Sequence, residues 1–446
     1  MFSVLRNRTY RHLFTAQVIA LVGTGLATVA LGLLAYDIAG ADAGSVLGTA
    51  LAIKMVAYVA IAPAIGAVAH RLPRRTLMVG ADLTRAAVAL MLPFVDQVWQ
   101  VYVLIFLLQA ASAAFTPTFQ AVIPDALPAE RDYTQALSLS RLAYDLESLF
   151  SPALAAVLLS VITYNWLFLG TVAGFLASAA LVVSVVLPKP AAPTEPPAGG
   201  VYARATAGSR LFFAAPQLRA LLLLNLAVAA ASAMVTVNSV GYVRDHLGRS
   251  AADVSLALGA YGAGSMVVAL LLPRVLDRVS DRTVMLRGAL FLTVVFAGLG
   301  ALTAAGGGGW RWPVLLLTWA AFGAACSMVL TPTGRLIRRS APPEERTSAF
   351  AAQFSLSHSC WLLTYPLAGW LGSVAGLQSA VVALGVITLV SGVLAVRMWP
   401  SREAAGVEHE HTGLDPGHPH LRGAEQAERG WRHSHHVLAD SLHAPR

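Results

Sequence analysis

Runs of about twenty apolar residues recur along this chain, and they decide what it can fold into. A bilayer core of about 30 Å is crossed by a helix of roughly 20 apolar residues. By that ruler twelve spans fall near 12–39, 44–69, 76–95, 98–122, 135–161, 165–187, 217–243, 251–273, 283–305, 312–336, 348–372 and 376–398. Hydrophobic residues make up 57% of the 446 positions and charged residues only 12%. Soluble domains carry about 25% charged residues. The expectation is an all-α membrane protein in contact with the lipid bilayer. The 37 glycines fit it too, because small residues let helices approach closely in lipid.

Charge follows topology. The net charge of +8 reads through loop arginines rather than nucleic-acid binding. Arg71, Arg74 and Arg75 lie between spans two and three. Arg274, Arg278 and Arg282 follow span eight, and Arg338, Arg339 and Arg346 follow span ten. The opposite loops hold Arg244, Arg249 and Arg311. The positive-inside rule then puts both termini, the linker and the tail in the cytoplasm. The first apolar run, Leu13 to Ala39, is longer than a cleaved signal core and reads as an uncleaved span. Cys326 and Cys360 both sit in apolar stretches, so neither a disulfide framework nor a CxxC site is expected.

The chain divides as 1–187, a Pro/Gly-rich linker at 188–215, 216–398 and a polar tail at 399–446. The two large parts repeat. RLPRRTLMVG at 71–80 aligns with RVSDRTVMLR at 278–287. TPTFQAVIPDALPAER at 116–131 aligns with TPTGRLIRRSAPPEER at 331–346. A duplicated six-helix unit is a transporter architecture, with cargo handled between the halves.

These loops resemble the major facilitator superfamily, whose loop after span two carries G-x-x-x-D-R-x-G-R. Here it stands as Gly66 to Arg75, with His70 in place of the acid and Pro73 in place of a glycine, while the second half keeps Asp277-Arg278. Ser151-Pro152 to Ala156 stands where many antiporters of that superfamily have G-P-x-x-G-G. With the His-rich tail, the chain is similar to nickel-resistance exporters of the NreB type. That resemblance implies export of nickel or cobalt by proton antiport, in a monomer and without a resident cofactor. Export of a drug or siderophore-like molecule, with an incidental metal-binding tail, is the alternative. A metal or pH sensor that moves nothing is a third reading.

The tail holds His409, His411, His418, His420, His433, His435, His436 and His443. Neutral imidazole suits nickel, cobalt, zinc and copper. Nearby acids, Asp440 among them, add oxygen ligands. A helix over 431–443 would align His436, Asp440 and His443 on one stripe. The alternatives are a solvated, largely disordered tail and a pH sensor.

An ionisable side chain within a span costs about 2.5–3.5 kcal/mol on insertion scales, so each is a functional candidate. Span five carries Arg141 and Asp145, spaced to pair, and Glu147. His358 holds the corresponding stretch of span eleven. Asp145, Glu147 and His358 are expected to form a transient divalent-cation site or to carry protons; a structural Arg141–Asp145 pair is the other reading. Asp37 is expected near the outer end of span one. Lys54 reads as a proton-switch cation or a snorkelling side chain, and Asp82 and Arg85 as supports of the loop motif. No P-loop, HExxH or GxSxG pattern is present, so neither ATP use nor an enzyme is expected.

Overall fold

A computed structural model describes residues 2–39, 43–68, 72–159, 161–187, 206–341, 345–399, 407–411, 425–427 and 430–435. Within 2–187 lie six long helices: α1 (Arg8–Ala39), α2 (Ala43–Val68), α3 (Arg74–Met91), α4 (Val98–Ala126), α5 (Glu130–Leu159) and α6 (Tyr164–Val183). A short helix, α7 (Ala207–Ala214), precedes α8 (Pro216–Val240), α9 (Ala251–Leu276), α10 (Asp281–Ala304) and α11 (Arg311–Leu330). A second short helix, α12 (Thr333–Ser340), leads into α13 (Arg346–Trp370) and α14 (Leu377–Met398). Twelve long helices therefore stand where twelve spans are expected. The stretch expected as linker differs at its end, where 207–214 fold as α7 and pack on α13. The sequence GSRLFF puts an apolar pair, Leu211 and Phe212, on the buried side there.

Among the described residues, nine helical segments are long and apolar enough by themselves to cross a membrane. Three of the long helices, α2, α5 and α13, are not among them. Of these, α5 carries Arg141, Asp145 and Glu147, and α13 carries Gln353, His358 and a run of serines. All three border the opposite half, as do α4 and α9. Within the first half α1 packs on α6, α3 on α4 and α6, and α2 on α4. Within the second, α9 packs on α11, α10 on α11 and α14, and α8 on α13 and α14. Between halves α2 lies along α13 and α5 along α9. Spans two and eight are repeat equivalents, as are five and eleven, so the two seams are related by the duplication. Cys326 and Cys360 are buried free thiols.

The loop repeat has a structural meaning. Arg75 donates to the carbonyls of Val183 and Val185 (2.9 Å for the latter), where the chain leaves α6. Its repeat equivalent Arg282 donates to the carbonyl of Trp399, at 3.3 Å, where the chain leaves α14. Both guanidiniums satisfy orphan carbonyls at a helix C-terminus and offset its negative dipole end.

In the tail, residues expected to be disordered form a three-stranded antiparallel sheet, β1 (Val407–His411), β2 (Glu425–Ala427) and β3 (Gly430–His435), in the order β1-β3-β2. The helix considered for 431–443 does not form over 431–435, which are strand. Backbone pairing with β1 and β2 satisfies both edges of β3, and an isolated one-turn helix cannot match that.

The tightest crossing is between α9 and α11. A Cβ on Gly264 would lie 1.9 Å from the Ala320 carbonyl oxygen, and one on Gly323 would lie 1.9 Å from that of Tyr261. The two glycines thus let each backbone touch the other. Gly264→Ala is expected to lower the thermal unfolding midpoint in detergent by a few degrees, since overpacking costs about 1–3 kcal/mol. Gly298→Ala on α10, with open space around it, should leave the midpoint unchanged.

Candidate functional site

The polar residues of α2, α5 and α13 converge where the halves meet. On α2, Lys54 and Tyr58 are one turn apart, with the Lys54 ammonium 5.7 Å from the Tyr58 ring centroid. Tyr58 packs against Phe354 at 4.8 Å and edge-on to His358 at 4.7 Å. Phe354, His358 and Trp361 stack along one side of α13, with centroid separations of 4.2 and 5.1 Å. Their spacing of i, i+4, i+7 keeps them on one stripe. Lys54 lies within Coulombic reach of both Glu147 and His358. The Tyr58 hydroxyl donates to Gln109 Oε1 (2.8 Å), and Ser355 Oγ donates to the Val59 carbonyl (2.7 Å). That second bond ties α13 directly to the α2 backbone.

A cavity opens beside this cluster, inside the first half. Gln17 and Thr24 of α1, Arg85 of α3, Phe115 and Thr116 of α4 and Tyr144 of α5 line it. Arg85 is held between the rings of Phe115 and Phe175, each 4.5 Å from the guanidinium carbon. Its charge is balanced by an ion pair with buried Asp82, whose Oδ2 accepts from Ser178 Oγ at 2.8 Å. Asp82 and Arg85 therefore do not support the loop motif, as their sequence position suggests; they face inward on α3. The loop role belongs to Arg74, which pairs with Asp125 at 2.6 Å.

Arg141 and Asp145 form an ion pair at 2.9 Å, as their spacing implies. Arg141 also donates to Ser265 Oγ of α9 from Nε (3.1 Å) and from a terminal nitrogen (2.9 Å). The pair thus ties the two halves along the α5–α9 seam. Among the described residues no three His, Cys, Asp or Glu side chains converge as metal ligands do. Asp145 faces Ser265 while Glu147 and His358 face Lys54, so these three candidates are not one site in this conformation. Asp37 lies in α1, two residues before its last, and its side chain is outside the described set.

The tail candidates divide in the same way. Strand pairing sets His409 opposite His433, His411 opposite Trp431 and Val407 opposite His435. Alternation therefore puts positions 409, 411, 433 and 435 on one face of the sheet. His418, His420, His436, Asp440 and His443 lie outside the described residues, as do His70 and Arg71 of the loop motif.

Ion pairs close the arginine-rich end of the bundle. Arg335 reaches Glu130 at 2.8 Å and Asp281 at 3.1 Å, and Arg339 reaches Glu130 and Asp281 (3.1 Å for the latter). Asp125 joins Arg74 to Arg346, at 2.6 and 3.0 Å. Arg131 faces Asp277 at 3.8 Å. Glu130 and Asp281 occupy first helical turns and Arg339 the last turn of α12, so these three charges also sit at helix ends that favour them. The P-x-E-R repeats supply Glu130, Arg131 and Arg346 to this network.

The Major Facilitator Superfamily profile matches residues 13–239 and 221–438, nearly the whole chain. The chain belongs to that superfamily. Macrolide efflux protein A of Streptococcus pyogenes is 29% identical over 182 residues, 40% of this chain. The match spans less than half, 44%, of that relative's own length. An uncharacterised transporter of the same type in Bacillus subtilis, YvqJ, is 24% identical over 400 residues, 87% of this chain and 91% of its own. Among solved structures, the human organic anion transporter MFSD10 superposes with a TM-score of 0.67 at 15% identity, over 87% of this chain and 99% of that one. That likeness is one of fold.

Sequence reasoning left Lys54 between a proton-switch cation and a snorkelling side chain, and passed over Tyr58 and Trp361. The signal was present in QFSLSHSCWLL, where Phe354, His358 and Trp361 make an aromatic stripe on an otherwise polar span.

The closing network has a measurable consequence. Glu130→Gln with Arg131→Gln removes contacts from α5 to α12 and Asp277. Between spin labels at the exposed positions Ala129 and Ser280, pulsed EPR should show a longer-distance population at least doubled over the parent.

Proposed function

We propose that this chain is a secondary active transporter that exports an oxygen-rich, amphiphilic organic molecule of the macrolide kind from the cytoplasm, in exchange for protons. One observation carries the reading: the cavity, about 40 Å³ in this conformation and so only part of the site such a cargo needs, joins aromatic walls (Phe115, Tyr144) to hydrogen-bonding groups (Gln17, Thr24, Arg85, Thr116). Organic ligands take sites of that composition, largely apolar with a few placed polar groups. With Asp82 already balancing Arg85, what the guanidinium adds is N–H donors, which match carbonyl and hydroxyl oxygens. A divalent metal in transit needs carboxylates and imidazoles instead. The 29% identity to a macrolide efflux protein supports the same reading.

Glu147 is the proposed proton carrier, because it lies beside the cavity residue Tyr144 and within Coulombic reach of Lys54. Arginine loops and both termini face the cytoplasm in this reading, and a single chain suffices for transport. The network of Glu130, Asp281 and the α12 arginines closes the cytoplasmic mouth.

Nickel or cobalt export is the second reading, and the tail favours it. Four histidine positions share one face of the β1–β3 pair, with His409 directly opposite His433. The tail would gather metal at the cytoplasmic mouth and hand it to the body.

Cells with and without the protein, challenged separately with erythromycin and with nickel, cobalt or zinc, separate the two. Mass spectrometry of cell contents should show erythromycin lowered severalfold and the metals unchanged. Lowered nickel or cobalt with unchanged erythromycin would overturn the organic reading. Glu147→Gln should reduce export at least tenfold at unchanged protein level. Deleting 401–446 should leave erythromycin export intact; under the metal reading the same deletion weakens export.

A further inference from the structure

Trp361 leaves a hydrogen-bond donor unused in a place where that is costly. Its indole N–H is buried and has no partner among the described residues. A buried unsatisfied donor costs about 1–3 kcal/mol, and native structures retain few of them. Beside it is an unused acceptor. His358 Nδ1 lies 2.6 Å from the Phe354 carbonyl oxygen, on the same helix. A carbonyl only accepts, so Nδ1 carries the proton and Nε2 of the neutral ring keeps its lone pair. The two rings are one turn apart, with centroids 5.1 Å from each other.

The neighbouring hydroxyls do not compete for this pair. Tyr58 gives its proton to Gln109, and Ser355 gives its own to Val59. Phe354 and Tyr58 present only ring surface to His358.

We infer that Trp361 and His358 form a hydroxyl-reading subsite for the exported molecule. The cargo's alcohol oxygen accepts from Trp361 Nε1–H, and its O–H donates to His358 Nε2. An alcohol is the smallest group that satisfies both at once. A bare carbonyl or ether satisfies only the donor. The subsite lies on α13 against α2, at a contact between the halves, so a cargo seated there touches both moving parts. This inference rests on the organic-cargo reading given above.

The test is binding to the full chain, purified into lipid nanodiscs, of erythromycin and of its fully O-acetylated derivative, which has lost every alcohol donor. Parent protein should bind erythromycin roughly tenfold more tightly than the acetylated compound, about 1.4 kcal/mol. In His358→Phe, which keeps a ring in place, that ratio should fall to near one with affinity for the acetylated compound unchanged, whereas Trp361→Phe removes the donor that both compounds use and should weaken both. An unchanged ratio in His358→Phe, or unchanged binding of both compounds in Trp361→Phe, overturns the subsite and leaves the organic-cargo reading standing. A parent that does not discriminate between the compounds overturns it without recourse to any variant. A parent that binds neither overturns both readings.

Discussion

Asp281 is the point on which the closed arrangement of this bundle depends. It is almost wholly buried, at 1% side-chain exposure, and faces Arg335, itself only 7% exposed. Taking such charges out of water costs several kcal/mol per ion, which only close pairing with further hydrogen bonds offsets. Arg335 has those bonds, to Glu130 and to Thr134 Oγ1 at 2.8 Å. Glu130 and Thr134 belong to the other half of the chain. Docking against the first half therefore completes the bonding of the buried Arg335–Asp281 pair of the second. The more exposed Arg131–Asp277 contact (76% and 39%) adds little to this, since solvated pairs contribute roughly 0–1 kcal/mol.

The duplication makes this legible as one device used twice with its signs exchanged. Aligning 71–80 with 278–287 puts Arg74 against Asp281. In the first half the arginine opens α3 and takes an acid from the end of α4. In the second the acid opens α10 and takes arginines from α12. Each pair holds the start of the third span of its half against the end of the next span or the connection that follows it. Because the signs are opposite, each half presents a charge that the other can use, and Arg346 joins Asp125 across the boundary.

Much of the fold was readable from composition and period. Long apolar runs fix the helices, since in lipid the backbone must satisfy its own hydrogen bonds. The repeat pointed to two halves and, through P-x-E-R, to residues that now close one end. The spacing of Arg141 and Asp145 announced their pair. What sequence did not reveal is which way a helix faces. Asp82 and Arg85 stand near the charged loop in sequence, yet α3 turns them inward, because the rings of Phe115 and Phe175 offer the guanidinium a cation–π sandwich that no loop position offers. Lys54 looked like a lone cation on an apolar helix, since its electrostatic partner is Glu147, 93 positions later. In the tail, alternating His-x-His was read for its ligands and not for its period of two, although that period is the signature of a strand.

The polar side chains on α2, α5 and α13 follow from their position. A helix facing lipid on most sides must be apolar, and α6 and α14 carry no acidic or basic side chain but Arg397 at the end of α14. A helix that borders the opposite half must form a seam able to separate, and a purely apolar seam in lipid gains nothing from water when closed. Polar contacts supply the adhesion instead: Ser355 to the Val59 carbonyl on one seam, Arg141 to Ser265 on the other. Each is a small number of directional bonds rather than an extended packed surface, so each can be exchanged for bonds to another partner without tearing a core apart. The unused donor of Trp361 lies along the first of these seams. An unsatisfied group there lowers the stability of the empty closed state relative to a filled one, and a transporter needs that inequality if closing is to follow loading.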